Sequence, residues 1–186
     1  MTYLRIFFRK SFLVAVLVAL TGFGFTVQAQ EQTPWQTTIG NNSQINYMWP
    51  GYNTGFEFTV LEDGVITQLG GFFNSTLTVR LYRITENSAI RQVSVSDTNS
   101  WGYADIVPLA VSTGERFTVA VQTNFIRSAS ASGFGPGFPN LPLVVNDIRI
   151  DRPVFNLGTN RPTWEIYGQM WGQPDIVFVP GAVVIQ

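Results

Sequence analysis

The chain of 186 residues contains no cysteine and no histidine, and Lys10 is its one lysine. Without cysteine there is no disulfide scaffold, thiolate nucleophile, iron–sulfur cluster or cysteine zinc site. Without histidine, Ser-His-Asp hydrolysis, HExxH metalloproteases and most transition-metal sites are excluded, because each needs an imidazole as base or ligand. Beyond residue 10 a Schiff-base lysine and a P-loop are excluded as well. Neither a metal nor a cofactor is expected. Charge is also sparse: eleven basic groups face twelve acidic ones, and 12% of residues are charged. No run of Lys or Arg forms the basic stripe that neutralises phosphates, so no nucleic-acid partner is expected. Apolar residues make up 45% of the chain and aromatic residues 14%.

The leader differs in character from the remainder of the chain. Arg5, Arg9 and Lys10 precede an apolar run from Phe12 to Leu20, which fades through Thr21-Gly22-Phe23-Gly24-Phe25. A basic segment followed by a short apolar one is the layout of a secretory signal. Val27-Gln28-Ala29 has the residues a signal peptidase reads, predicting cleavage after Ala29. A membrane anchor needs roughly 20 apolar residues. This run is shorter and broken by glycine, so no stable membrane insertion is expected after cleavage. The expected organisation is a signal peptide over 1–29, a lead-in over 30–50 and one domain over 51–186, released to the periplasm or the exterior. Past Ala29 the chain carries eight arginines, no lysine and twelve acids, a balance of −4. A domain of this size buries enough surface to hold a core without disulfides.

Period-two alternation dominates this domain. Phe56, Phe58 and Val60 alternate with Glu57 and Thr59; Leu77, Val79 and Leu81 with Thr78, Arg80 and Tyr82; Phe117, Val119 and Val121 with Arg116, Thr118 and Ala120. Each run has one face for a core and one for solvent. Shorter runs predict strands at 47–49, 65–69, 90–95, 103–107, 143–145, 164–167, 176–179 and 182–185. Asp63-Gly64 predicts a hairpin from Phe56 to Leu69, with glycine supplying a positive φ. Thr113-Gly114-Glu115 predicts a second tight turn. No window of eleven or more residues keeps helical spacing without Gly or Pro. The expectation is an all-β antiparallel β-sandwich, jelly-roll-like. A closed outer-membrane barrel is the rival, but its strands run about 9–11 residues with an apolar lipid face. The runs here are shorter, and Glu57, Gln68, Arg80 and Arg116 occupy outward positions. From Ser128 to Pro142 the chain reads SASASGFGPGFPNLP, with Phe134 and Phe138 held between Gly and Pro. So long an aperiodic stretch reads as a cover over the sandwich end or a wall over a binding surface.

The order of blocks carries a family resemblance. Phe56-Glu57-Phe58-Thr59-Val60 followed by Asp63-Gly64-Val65-Ile66-Thr67-Gln68-Leu69-Gly70 resembles the opening block of a bacterial extracellular domain of unknown function, the one numbered 4082. Val79-Arg80-Leu81-Tyr82, Ser100-Trp101-Gly102-Tyr103, Pro108-Leu109, Thr113 to Val119 and Gln173 to Phe178 are similar to its later blocks in the same order. Tyr82 stands where that family usually has Trp. The resemblance spans roughly Tyr52 to Pro180. It implies a secreted, often carbohydrate-associated β-sandwich, and carries over no catalytic residue.

Candidate site residues are aromatic. The apolar face of a pyranose stacks on an exposed ring while polar side chains meet its hydroxyls. Trp164, Tyr167 and Trp171, interleaved with Glu165, Gln169 and Gln173, form the densest group, with Trp101 as a second candidate and Phe134 and Phe138 as loop candidates. For each single Trp, packing is the competing role. Asp147 and Asp151 flank Ile148-Arg149-Ile150, and Arg149 and Arg152 offer them ion pairs as a simpler use than a calcium site. The expected function is a secreted, non-catalytic binding or adhesion module for a polysaccharide or cell-surface glycan. The alternatives are a structural module pairing with another protein through edge strands and, third, a small glycoside hydrolase using two facing carboxylates.

Overall fold

The structure is a computed structural model, and it describes residues 29–39, 45–46, 51–73, 75–96, 100–122, 128–129, 140–165 and 173–182. Alternating side chains build strands over most of this length: β1 (Ile45–Asn46), β2 (Tyr52–Val60), β3 (Gly64–Phe73), β4 (Leu77–Arg83), β5 (Arg91–Val95), β6 (Ser100–Val111), β7 (Arg116–Gln122), β8 (Ser128–Ala129), β9 (Leu143–Val145), β10 (Ile148–Leu157), β11 (Trp164–Glu165) and β12 (Pro174–Pro180), with helix α1 (Pro34–Ile39) ahead of them. Two antiparallel sheets result. The larger runs β11-β10-β2-β7-β4-β5, with β9 sharing the outer edge of β10 with β11. The smaller has β3 between β12 and β6, with β8 and β1 continuing from its end.

The apolar halves of the alternating runs meet between the sheets. Phe56, Phe58, Leu81, Phe117, Val119 and Ile150 from the larger sheet pack with Ile66, Leu69, Phe73, Ile176 and Phe178 from the smaller. The Phe58 and Phe117 rings stack with centroids 5.6 Å apart. Burying each such ring contributes about 1.5–3 kcal/mol. The sandwich expectation therefore holds.

Several local expectations change. Phe56 to Leu69 is not a hairpin: β2 lies in the larger sheet and β3 in the smaller. Gly64 does not take a positive φ. Its lack of a side chain serves close packing instead, since a Cβ there would lie 2.5 Å from the Val179 carbonyl and 2.7 Å from the Phe178 ring. The chain thus turns a corner between layers, so that the apolar faces of β2 and β3 oppose each other rather than lie side by side. The turn at Thr113-Gly114-Glu115 is present, with Gly114 at φ +87°, and it too joins the sheets. Gly114 N–H donates to Val60 O (2.8 Å), and Asp63 accepts from Thr113 N–H (2.7 Å), locking the two corners together.

Strand β10 is not evident from sequence alternation. A bulge between Ile150 and Arg152 breaks its period. Pro153 falls in the gap between the β9 and β11 pairings, where a missing N–H is tolerated. The lead-in is also more than a lead-in: Gln32 exchanges backbone hydrogen bonds with Phe178 (2.8 and 2.9 Å), and Trp35 and Ile39 join the core. The runs at 47–49 and 183–185, and the leader up to residue 28, lie outside the described residues. Of the aperiodic stretch, Ser128–Ala129 forms β8 against β1, and 130–139 lie outside them too.

Candidate functional site

The outer face of the larger sheet carries the polar halves of β2, β4, β7 and β10. Cross-strand register sets Tyr82, Thr118, Glu57 and Arg152 in one row, and Arg80, Ala120, Gly55 and Val154 in the next. Glu57 occupies the outward position expected of it, yet its side chain is only 2% exposed. Arg152 makes a forked contact with it, Nε to Oε2 at 2.8 Å and Nη2 to Oε1 at 3.0 Å. Arg161 Nη1 adds a contact at 3.2 Å and Arg116 Nη2 one at 3.4 Å. A buried carboxylate must be matched in this way to persist as a charge. The hydrogen bond to Glu57 in turn raises the pKa of Arg152.

The same network absorbs the acids beside it. Asp151 accepts from Arg149 Nε (2.6 Å) and Thr59 Oγ1 (2.6 Å), so the ion-pair reading of Asp151 is right. Asp147 instead accepts from Gln32 Nε2 (2.5 Å). The two aspartates thus serve different partners. Among the described residues no three acidic side chains gather as a metal cage.

Residues 158–163 form a strap over the neighbouring part of this face. Gly158, at φ +86°, donates to Gly51 O (2.9 Å), and Arg161 N–H donates to Asn87 O (3.0 Å). The sheet holds the strap from below: Tyr82 Oη donates to Thr159 O (2.8 Å) and Asn53 Nδ2 to Asn160 O (2.9 Å). Asn156 Nδ2 donates to the carbonyls of Asn160 and Arg161, both at 3.1 Å. Asn53 also donates to Tyr82 Oη (3.0 Å). Burial raises the Tyr82 pKa, against the hydrogen bond from Asn53 and the Arg80 charge.

Beneath and beside the strap, hydrogen bonding is incomplete. Asn53 Oδ1, Thr118 Oγ1, Asn156 Oδ1, Arg161 Nε and Arg80 Nη1 are buried and have no partner within the protein. A buried polar atom left unpaired costs about 1–3 kcal/mol. Four such atoms on one sheet face, with a fifth on the strap above it, mark it as the candidate site. A cleft of about 380 Å³ opens next to them, walled by residues 87–92 and by Thr159 and Asn160, with Arg80 in its lining.

The aromatic candidates are not brought together. Trp164, on the edge strand β11, is 57% exposed and meets Phe155 edge-on at 5.6 Å. Trp101 lies in the other sheet, half-buried against the core and edge-on to Phe72 at 5.8 Å. Tyr167, Trp171, Phe134 and Phe138 lie outside the described residues. Asn53, Arg80, Thr118 and Asn156 carry no strong mark in the sequence, where Arg80 and Thr118 take ordinary outward positions. The available signal was an arginine between two core-facing residues of a strand, which is weak by itself.

One more buried acid stands apart. Asp175 is fully buried and caps α1: Oδ1 accepts from Trp35 N–H (3.1 Å) and Ile176 N–H (2.9 Å), Oδ2 from Gln36 N–H (2.9 Å) and Tyr103 Oη (3.0 Å). Burial pushes its pKa up to about 6 against those hydrogen bonds. Burial and the Asp175 charge push the Tyr103 phenol pKa upward.

The geometry defines a two-layer antiparallel β-sandwich with a polar, strap-covered outer face. The chain matches no protein-family model, no curated protein and no solved structure.

Proposed function

We propose that this chain is an exported, non-catalytic β-sandwich module that binds carbohydrate on the outer face of its larger sheet. The observation that carries this reading is the set of five buried, unpartnered polar atoms beside a cleft lined by amides, hydroxyls, Arg80 and Arg91. Donors and acceptors held this way suit a ligand rich in hydroxyls. The block order resembling the extracellular domain of unknown function 4082 points the same way, and exposed Trp164 is a second platform on which a sugar ring can stack. A hydrolytic role has less support: the arginines engage Glu57, and Asp175, the acid with the raised pKa, is enclosed and used as a helix cap. The test is a glycan array with affinity electrophoresis of the protein beginning at Gln30. Binding that falls in Trp164→Ala or Asn53→Ala supports the reading, and no retention on any glycan overturns it.

The assembly alternative draws on β6, twelve residues long and paired only with β3 among the described residues. Its edge is guarded, since Pro108 has no N–H and Arg91 Nε already donates to Val107 O at 2.9 Å. Light scattering after size exclusion is expected to give a monomer; a concentration-dependent dimer would favour assembly.

A further inference from the structure

We infer that the cleft beside Arg80 binds an oxyanion carried on a sugar, the carboxylate of a uronic acid or a sulfate ester, so that the ligand is an acidic polysaccharide. This rests on the carbohydrate reading above and names its ligand class. Seven arginines lie among the described residues. Arg83, Arg116, Arg149, Arg152 and Arg161 pair with carboxylates. Arg91 donates to the carbonyls of Val107 and Ile90. Arg80 has no carboxylate partner, its Nη1 is buried without an acceptor, and no acid lines the cleft it borders. A guanidinium cannot shed its proton to escape this situation, so a ligand oxyanion is the group that completes it. The position is also fixed and roomy: Arg80 sits mid-strand with Ala120 opposite it on β7 and Gln92 opposite on β5.

The rest of the cleft favours a hydroxyl-rich ligand over one that binds by stacking. Asn87, Ser88, Gln92, Thr159 and Asn160 offer amides and hydroxyls, and no aromatic ring is in the lining. A nucleobase or a neutral pyranose would draw its affinity from stacking; here charge and hydrogen bonds must carry it. Twelve acids against eight arginines past Ala29 mean that the overall field does not gather polyanions, so attraction is local to the cleft.

Isothermal titration of the protein beginning at Gln30 with trigalacturonate, galactotriose and sodium sulfate tests this. The expected result is binding of trigalacturonate at least tenfold tighter than galactotriose, lost tenfold or more in Arg80→Gln and partly kept in Arg80→Lys, with both variants melting as the parent does. Equal binding of the acidic and neutral sugars, or binding unchanged in Arg80→Gln, overturns the anion inference and leaves the carbohydrate reading standing. Sulfate binding that depends on Arg80, with neither sugar bound, removes the carbohydrate reading and with it the acidic polysaccharide. Sulfate competing with trigalacturonate separates a site for either oxyanion, which supports the inference, from one confined to carboxylates, which restricts it to uronic acids.

Discussion

Two neighbouring patches of one sheet face treat buried charge in opposite ways. Around Glu57, three arginines converge on a carboxylate and complete its hydrogen bonding. Beside it on the same face, Arg80 Nη1, Asn53 Oδ1, Thr118 Oγ1 and Asn156 Oδ1 are buried without hydrogen-bond partners. The first arrangement is what stability asks of a buried ion. The second carries a cost that a ligand can relieve, and sites of function are where such costs collect. The Glu57 cluster is thus a clamp holding β2, β7, β10 and the strap together, whereas at the Arg80 cleft the hydrogen bonding is left incomplete.

Unbalancing the clamp should separate the two patches most clearly. Glu57→Gln leaves Arg116, Arg152 and Arg161 facing one another, with Arg161 only 13% exposed. A loss of about 3 kcal/mol is expected in urea denaturation, and a loss under 1 kcal/mol would show the clamp to be dispensable.

A comparable effect is expected from pH, at a third location that lies outside both patches. Asp175 has its folded pKa raised to about 6 from 3.8. The folded state therefore holds the proton more tightly, so this contribution to stability is fully present below about pH 3.8 and is lost as pH rises through 6. Integrated, the change is on the order of 3 kcal/mol. Denaturation midpoints of the parent and Asp175→Asn between pH 4 and 7 should diverge by this one proton; parallel curves would refute the assignment.

Tyr82→Phe removes the hydroxyl that bridges Asn53 and the Thr159 carbonyl. A loss of about 1–2 kcal/mol is expected, together with faster amide exchange in residues 158–163. Unchanged exchange there would mean that the tyrosine does not hold the strap.

The smallest effect falls on the open patch. Arg80→Met removes a buried donor without a partner and should leave stability within about 1 kcal/mol of the parent, on the stabilising side, while ligand binding is lost. A clear destabilisation would show that Arg80 belongs to the clamp after all.

The fold was legible wherever alternation was clean. The runs at Phe56–Val60, Leu77–Tyr82 and Phe117–Val121 all form strands whose apolar halves are core. It was illegible where a tertiary contact replaced a local one. Asp63-Gly64 has the composition of a hairpin turn, but glycine is demanded by the approach of Phe178 and Val179, far along the chain. β10 was hidden because a bulge and Pro153 interrupt the pattern that marks a strand. Of the aromatic candidates, Trp164 is exposed, whereas nothing in the sequence marks the Arg80 cleft. Its lining comes from β4, the β4–β5 connection, the start of β5 and the strap, and what distinguishes Arg80 is a missing partner, which no residue type displays.

Residue types alone established the chemistry denied to this protein, through the absence of cysteine, histidine and all but one lysine, and the two-faced strands that force a layered β structure. Those follow from side-chain type and a period of two, which are local. Which strands share a sheet, which arginines are answered by a carboxylate and which has no such partner were settled at the tertiary level. Pairing and burial depend on distances between segments as far as 140 residues apart, and those distances exist only once the two sheets have closed on their core.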